Sequence, residues 1–430
     1  MVNPVVLDAQ AFDVWFESDL PRIFNNMTDR VSNHYRVKVH PLFSLVAFPL
    51  TLLATKGLSV DPIVSVKLVI SAIAALWIST LFILFRLMGL HRLDAILFSL
   101  LASVSSASMF WFVVPETYSF GSLSIVIALC FVVLAETRQF SSLWYAGVSA
   151  LTLSMTTTNW MVGLLTTFVS FPKKKALQVT INAFSLTVVL WTVQKIIFPS
   201  AVFFLGDREE KNYVLMSGSG GFWPVLKSFL SHTMVMPNIN LLTEKYTLPH
   251  WPVLSVQSEM PGSGTLYGPI AVVVWTILLG LGLWGFFTSR QHLKLRIVVG
   301  VTLLGQLLLH SIYGDETFLY ALHFVPLLIA LVAFSSFTRG RTIALGLTAI
   351  LILTAGTNNL IQFNRSIELV NDQAPQRYQV LRSGTKCLSD LDPYSPLERR
   401  SKLSLSKADT AISHHHHMTD KPALYCSTHR

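Results

Sequence analysis

Three short stretches of the chain gather side chains of the types that could do chemistry. The first runs from Asp13 to His40. It holds the carboxylates Asp13 and Asp19, then Arg22, and then NHYRVKVHP, where Arg36, Lys38 and His40 alternate with Tyr35, Val37 and Val39. If that piece is extended, the three basic groups point the same way and could hold a phosphate. The plainer role is an interfacial segment whose cations reach lipid headgroups. The second stretch, VVPETYSFG, sets Glu116 beside Tyr118 at the end of an apolar run, where a cap or hydrogen-bond acceptor is the competing role. The third, YGDETFLYALH, places Glu316, Tyr320 and His323 at spacings of four and three, on one helical face with Asp315 nearby. His323 falls inside an apolar run, where an ionisable residue is a functional candidate, whereas His310 is the weaker case and suits a core hydrogen bond.

Other motifs carry less. The SGSGG of Ser217 to Gly221 lacks the Lys and Ser or Thr of a nucleotide loop. His414 to His417 could bind a metal, but four adjacent histidines without partner ligands are more often incidental or a tag. No metal-ligand spacing, nucleophile elbow or haem motif is present.

These residues must be positioned by membrane helices. Of 430 residues 52% are hydrophobic and 13% charged, and the mean hydropathy is +0.54. A soluble domain carries roughly 25% charged residues. The net charge of +9 does not imply nucleic acid, because basic residues in short loops orient membrane helices. Apolar runs near the length of a bilayer crossing, roughly 20 residues, cover 63–85, 95–114, 118–135, 177–198, 266–288, 297–313, 318–337 and 342–357. Residues 143–171 are interrupted by Thr156, Thr157, Thr158 and Asn159 and read as a hairpin of two short helices. Residues 41–55 are nearer an interfacial or re-entrant helix. The expected fold is an all-α polytopic bundle of about nine or ten spans.

Alternate connections hold Arg86 and Arg92, Arg138, Lys173 to Lys175, Arg290, Lys294 and Arg296, and Arg339 and Arg341. The opposite connections, 57–62, 115–117, 156–159 and 314–317, hold no Lys or Arg but include Asp61, Glu116, Asp315 and Glu316. The basic set marks the cytoplasmic side. The carboxylates, the loop 199–265 and the tail then face periplasm, lumen or the outside.

The expected division is an N-terminal region 1–61 with surface helices, a bundle 62–357, and a polar, mobile extension 358–430. In the first, Phe16, Leu20, Ile23, Phe24 and Met27 recur at helical spacing, a stripe suited to lying on a membrane surface. No cleavable signal sequence is visible. Of the 3 cysteines, Cys130 reads as core, and Cys387 and Cys426 could pair if the tail is exoplasmic.

Taken together the pieces resemble the glycosyltransferase C superfamily, in particular its protein O-mannosyltransferase and aminoarabinose transferase branch. There an acidic residue in the first exoplasmic loop precedes surface helices and an HPPL or HPL segment. His40, Pro41, Leu42 and Phe43 stand in that place, with Asp19 and Asp13 upstream. A span ending in R-L-x-G corresponds to Arg86, Leu87, Met88 and Gly89, and the next exoplasmic acid to Glu116. The layout covers about residues 13–340, through short, loose motifs. The resemblance implies transfer of a sugar from a polyprenyl-phosphate carrier by inverting displacement. Asp19 would be the base, with Asp13 as understudy. Arg36, Lys38 and His40 would hold phosphate, aided by Arg22, Tyr118, Glu316, Tyr320 and His323. Glu116 would be a second polar or metal-binding group, with a divalent cation as a possible helper. The family begins with an outward span before this loop. Either such a span is missing here, the favoured reading, or 41–57 itself crosses outward and residues 1–40 are cytoplasmic. A secondary transporter and an inactive, scaffold-type relative are the rival classes.

Overall fold

The computed structural model describes residue 7 and residues 14–204, 221–242 and 253–389, with side chains described as far as 372. Contacts divide the chain into Met1–Pro375 and Gln376–Arg430, and everything below concerns the first unit. Its helices are α1 (Leu20–Thr28), α2 (Phe43–Leu58), α3 (Pro62–Leu87), α4 (Arg92–Val104), α5 (Ser106–Trp111), α6 (Tyr118–Thr137), α7 (Ser142–Met155), α8 (Trp160–Phe168) and α9 (Lys173–Ile197). After these come α10 (Phe222–Lys227), α11 (Tyr267–Thr288), α12 (Leu293–His310), α13 (Ala321–Ala333) and α14 (Arg341–Ser389). A two-stranded antiparallel ribbon, β1 (Asn240–Leu242) with β2 (Val253–Ser255), is the sheet among the described residues. The fold is all-α, and among the described residues 7 helical segments are long and apolar enough to cross a membrane.

That number is lower than the nine or ten expected, for a physical reason. The run 95–114 breaks at Ser105, between α4 and α5, because its backbone finds partners elsewhere: Ser106 N–H donates to Met234 O at 3.1 Å and Ala107 N–H to Thr233 O at 3.2 Å. A helix can break within a bundle only where neighbours take up the freed groups. The run 143–171 divides into α7 and α8 around a 3-10 turn at Thr157–Asn159, and α2 is too short for an upright span. α13 is apolar on every side and almost wholly buried, the mark of a central helix, whereas α9 presents most of its surface outward.

One end of the bundle is knit by its connecting segments. Arg341 makes a bidentate ion pair with Asp94, at 2.8 and 2.7 Å, joining the starts of α14 and α4. Glu136, at the end of α6, accepts from the backbone N–H of Lys294 at 2.9 Å and contacts His292 Nδ1 at 2.7 Å, while His292 Nε2 reaches Met88 O at 3.0 Å. These contacts bring together connections in which the expected cytoplasmic arginines and lysines lie.

The opposite end carries the N-terminal region, where two expectations are corrected. The stripe of α1 does not lie on a surface: Leu20, Ile23 and Met27 are buried against α2, α3 and their neighbours. The chain does not become a loose tail after Thr357 either. α14 continues without a break, and Asn358, Asn359 and Gln362 are buried. Asn359 accepts from Met236 N–H at 2.8 Å and donates to Met234 O at 2.9 Å and Val104 O at 2.8 Å, and Gln362 donates to Gly264 O at 2.7 Å. These amides clasp parts of the long loop to α14. Cys130 is buried as expected, whereas the side chains of Cys387 and Cys426 and the run His414 to His417 lie outside the described residues.

Candidate functional site

Just before α1 the chain turns through Phe16 and Glu17, both with positive φ (49° and 63°), a conformation that side chains adopt only under tertiary constraint. The constraint is visible: the Phe16 ring is fully buried, edge-on to Phe110, Trp111 and Phe318. This wedge delivers Asp19 to the start of α1. Its Oδ2 lies 2.8 Å from Arg36 Nε and 3.2 Å from Arg22 Nη1. Asp19 therefore holds Arg36, whose guanidinium stays charged: burial opposes the charge, but Asp19, Tyr118 and Glu116 more than offset it.

The segment NHYRVKVHP is not extended. Tyr35–Lys38 forms a 3-10 turn, so the alternation expected for Arg36, Lys38 and His40 does not exist. All three nonetheless line one cavity of about 350 Å³, which Tyr118, Thr156, His310 and Tyr320 also wall. Lys38 Nζ lies 3.6 Å from the centre of the Tyr35 ring, a cation–π contact, and its side chain is buried. His40 is not a third cation. Burial, with Arg36 nearby, pushes its pKa down to about 3, so the imidazole is neutral at physiological pH. Its Nδ1 is 2.9 Å from Met155 O, which fixes the proton there, and Nε2 is 3.0 Å from Thr117 Oγ1.

Glu116 sits in the turn between α5 and α6, with 1% of its surface exposed. Its Oε1 accepts from Thr117 N–H at 2.8 Å and lies 2.9 Å from Thr117 Oγ1. Its Oε2 has no hydrogen-bond partner among the described residues. Burial, opposed by Arg36 and Thr117, raises its pKa to about 7. A carboxyl poised there can take or give a proton near neutrality. Thr117 couples it to His40: one hydroxyl proton serves either the carboxylate or the imidazole, never both.

The remaining expected residues part company. Tyr118 packs against His40, Trp111, Tyr320 and His323, and Tyr320 stacks on His310 with ring centres 4.3 Å apart. Glu316 does not share their face. The chain at 317–320 is 3-10 rather than α, and Glu316 Oε2 accepts from Ser255 Oγ at 2.7 Å, Val256 N–H at 3.1 Å and Gln257 N–H at 3.2 Å. It anchors the long loop and does not line the cavity, with burial raising its pKa to about 7. His323 lies behind the cavity wall, over Gly121. Arg22 is two-fifths exposed and braces Asp19. Asp13 lies outside the described residues.

Sequence reasoning passed over His310 as a core residue and read Thr156 to Thr158 only as a helix break. Both line the cavity. Four consecutive polar residues inside an apolar run was the signal available. Beyond the cavity, Thr157, Thr158, Trp160 and Leu309 also border an open apolar groove of about 470 Å³ between α8 and α12, walled further by Met161, Leu164 and Leu308. Among the described residues no group of three His, Cys, Asp or Glu side chains is placed to hold a metal ion. No family model, characterised protein or solved structure was found to match this chain.

Proposed function

We propose that this protein is a membrane glycosyltransferase that moves a sugar from a polyprenyl-phosphate carrier to an acceptor hydroxyl at the non-cytoplasmic face. The observation that carries the reading is the junction of the cavity bearing Arg36 and Lys38 with the apolar groove along α8 and α12. Cations at one end and an open hydrophobic channel at the other match an amphiphile with a phosphate head and a hydrocarbon chain. Arginine suits the phosphate because its planar fork binds two oxygens and keeps its charge when buried.

In this reading Asp19 is not the base. It orients Arg36, and Glu116 takes the proton. The acceptor oxygen attacks the anomeric carbon from the side opposite phosphate, the carbon–oxygen bond to phosphate breaks, and polyprenyl phosphate leaves with its electron pair. The acceptor's proton reaches Glu116 through His40 Nε2 at the cavity wall and the Thr117 hydroxyl between them, while Arg36 and Lys38 stabilise the charge that develops on the departing phosphate. The basic residues knit at the other end of the bundle favour a non-cytoplasmic site.

The test is transfer or hydrolysis of a radiolabelled polyprenyl-phosphate sugar by the purified chain in liposomes. Turnover that falls at least 100-fold in Glu116→Gln supports the reading. Solute uptake without covalent change would replace it with a transporter.

A further inference from the structure

Behind Thr156 the cavity wall hides a cluster that the phosphate chemistry does not use. Were residue 121 to carry a Cβ, that atom would lie 2.6 Å from His323 Nε2 and 3.0 Å from both Asn159 Nδ2 and Thr156 Oγ1. Three polar atoms from α13, from the turn before α8 and from the end of α7 thus converge on one bare spot of α6. Only glycine permits the approach, and each of the three contacts is the end of a side chain. Asn159 and His323 are buried at 0% and 1% exposure, and Asn159 Nδ2, Asn159 Oδ1 and His323 Nε2 have no hydrogen-bond partner among the described residues. On neighbouring α12, Gln306 is equally buried, with Nε2 and Oε1 both unpartnered one turn below His310.

Orphaned amides and imidazoles buried this completely are costly unless something bonds to them. Thr156 belongs to both places, because it lines the cavity and its Oγ1 lies 3.2 Å from His40 Nδ1. The Asn159 amide offers donors and an acceptor, the His323 ring a further polar nitrogen, and the Thr156 hydroxyl, whose proton goes to Met155 O at 2.6 Å, a further acceptor. That set is complementary to another neutral hydroxyl, which donates and accepts at once. A carboxylate or ammonium would lose far more hydration on entering than such neutral groups return.

We propose that Thr156, which lines the cavity, with Asn159 and His323 behind it, all gathered over Gly121, form a subsite for a neutral hydroxyl group, supplied by an uncharged sugar entering the cavity. This deepens the glycosyl-transfer reading and rests on it for the sugar, but not for the phosphate. The same chemistry could be met by a bound water, so the experiment separates the two.

The full chain, in a detergent without sugar headgroups, is examined by ligand-observed saturation-transfer NMR with methyl α-D-glucopyranoside, glucosamine and glucuronate. Geranyl phosphate binding is measured in parallel. The expected result is transfer to the neutral glycoside with at least tenfold weaker binding of the two charged sugars. A comparable loss of glycoside binding is expected in Gly121→Ala, which places a methyl group among the three polar ends, while geranyl phosphate binding holds. Asn159→Leu, close to Asn in shape, is the second variant should the first fail to fold. Glycoside silence beside normal geranyl phosphate binding assigns the subsite to water and overturns the inference alone. Equal glycoside binding in wild type and variants overturns it too. Failure of geranyl phosphate to bind removes the carrier reading instead.

Discussion

Thr117 Oγ1 lies 3.0 Å from His40 Nε2, joining the loop that carries Glu116 to the imidazole that lines the cavity. Because His40 holds its own proton on Nδ1, toward Met155 O, the Thr117 hydroxyl can donate to His40 only when Glu116 releases it. Protonation of Glu116 is therefore felt inside the cavity without any backbone movement.

A pH dependence follows. With its pKa raised to about 7, Glu116 is a carboxylate above that pH and an acid below it. The rate of transfer should rise as pH passes upward through about 7 and then level off, and Glu116→Gln should lose both the rate and the inflection. A rate profile that is flat from pH 5 to 9 in wild type would remove Glu116 from the role of base.

Stability should move the opposite way. Glu116 and Glu316 both have native pKa values of about 7 against an ordinary 4.5. Between those values the native protein binds protons that the unfolded chain has released, so stability declines as pH rises from about 5 to 7. Thermal unfolding in detergent across that range should show a falling midpoint, and Glu316→Gln should reduce the slope.

Asp19 and Arg36 make a contrasting pair. Arg36→Met should weaken geranyl phosphate binding at least tenfold, through loss of a charge-assisted contact of about 1.5–3 kcal/mol. Asp19→Asn should weaken it less, since Asp19 positions Arg36, and should move the midpoint of the rate profile downward while keeping the inflection, because the Asp19 charge helps to raise the Glu116 pKa. Loss of both the rate and the inflection in Asp19→Asn would return the base role to Asp19.

The ion pair at the far end predicts an asymmetry. Asp94 is buried at 1% while Arg341 is 35% exposed. Arg341→Met leaves a buried carboxylate without its partner and should cost about 3 kcal/mol of stability. Asp94→Asn frees a guanidinium that water can reach and should cost roughly half as much. Denaturation of the two variants in one detergent checks the order.

Sidedness can be read directly. Lys174→Cys and Lys56→Cys, both at exposed positions, should react with an impermeant thiol reagent from opposite sides of sealed vesicles. Labelling of both from one side would undo the orientation on which the non-cytoplasmic site rests.

Much of this protein is legible from composition and order alone. Low charge and long apolar runs dictate helices in a bilayer, and the alternation of basic and acidic connections separates its two ends, because hydration and membrane potential act on each loop by itself. Arg36, Lys38, His40, Glu116, Tyr118 and Tyr320 could be picked out because charge and aromatic edges at a membrane boundary are rare. What each does could not. Burial turns His40 neutral and brings Glu116 to neutrality, a 3-10 turn takes Glu316 off the face of Tyr320, and ion pairing makes Asp19 a brace. The break at Ser105 was hidden as well, since its new hydrogen-bond partners lie more than a hundred residues away. Sequence determines which groups are present and which end of the bundle they occupy. The tertiary structure alone decides how much water, charge and hydrogen bonding each retains, and those quantities set its chemistry.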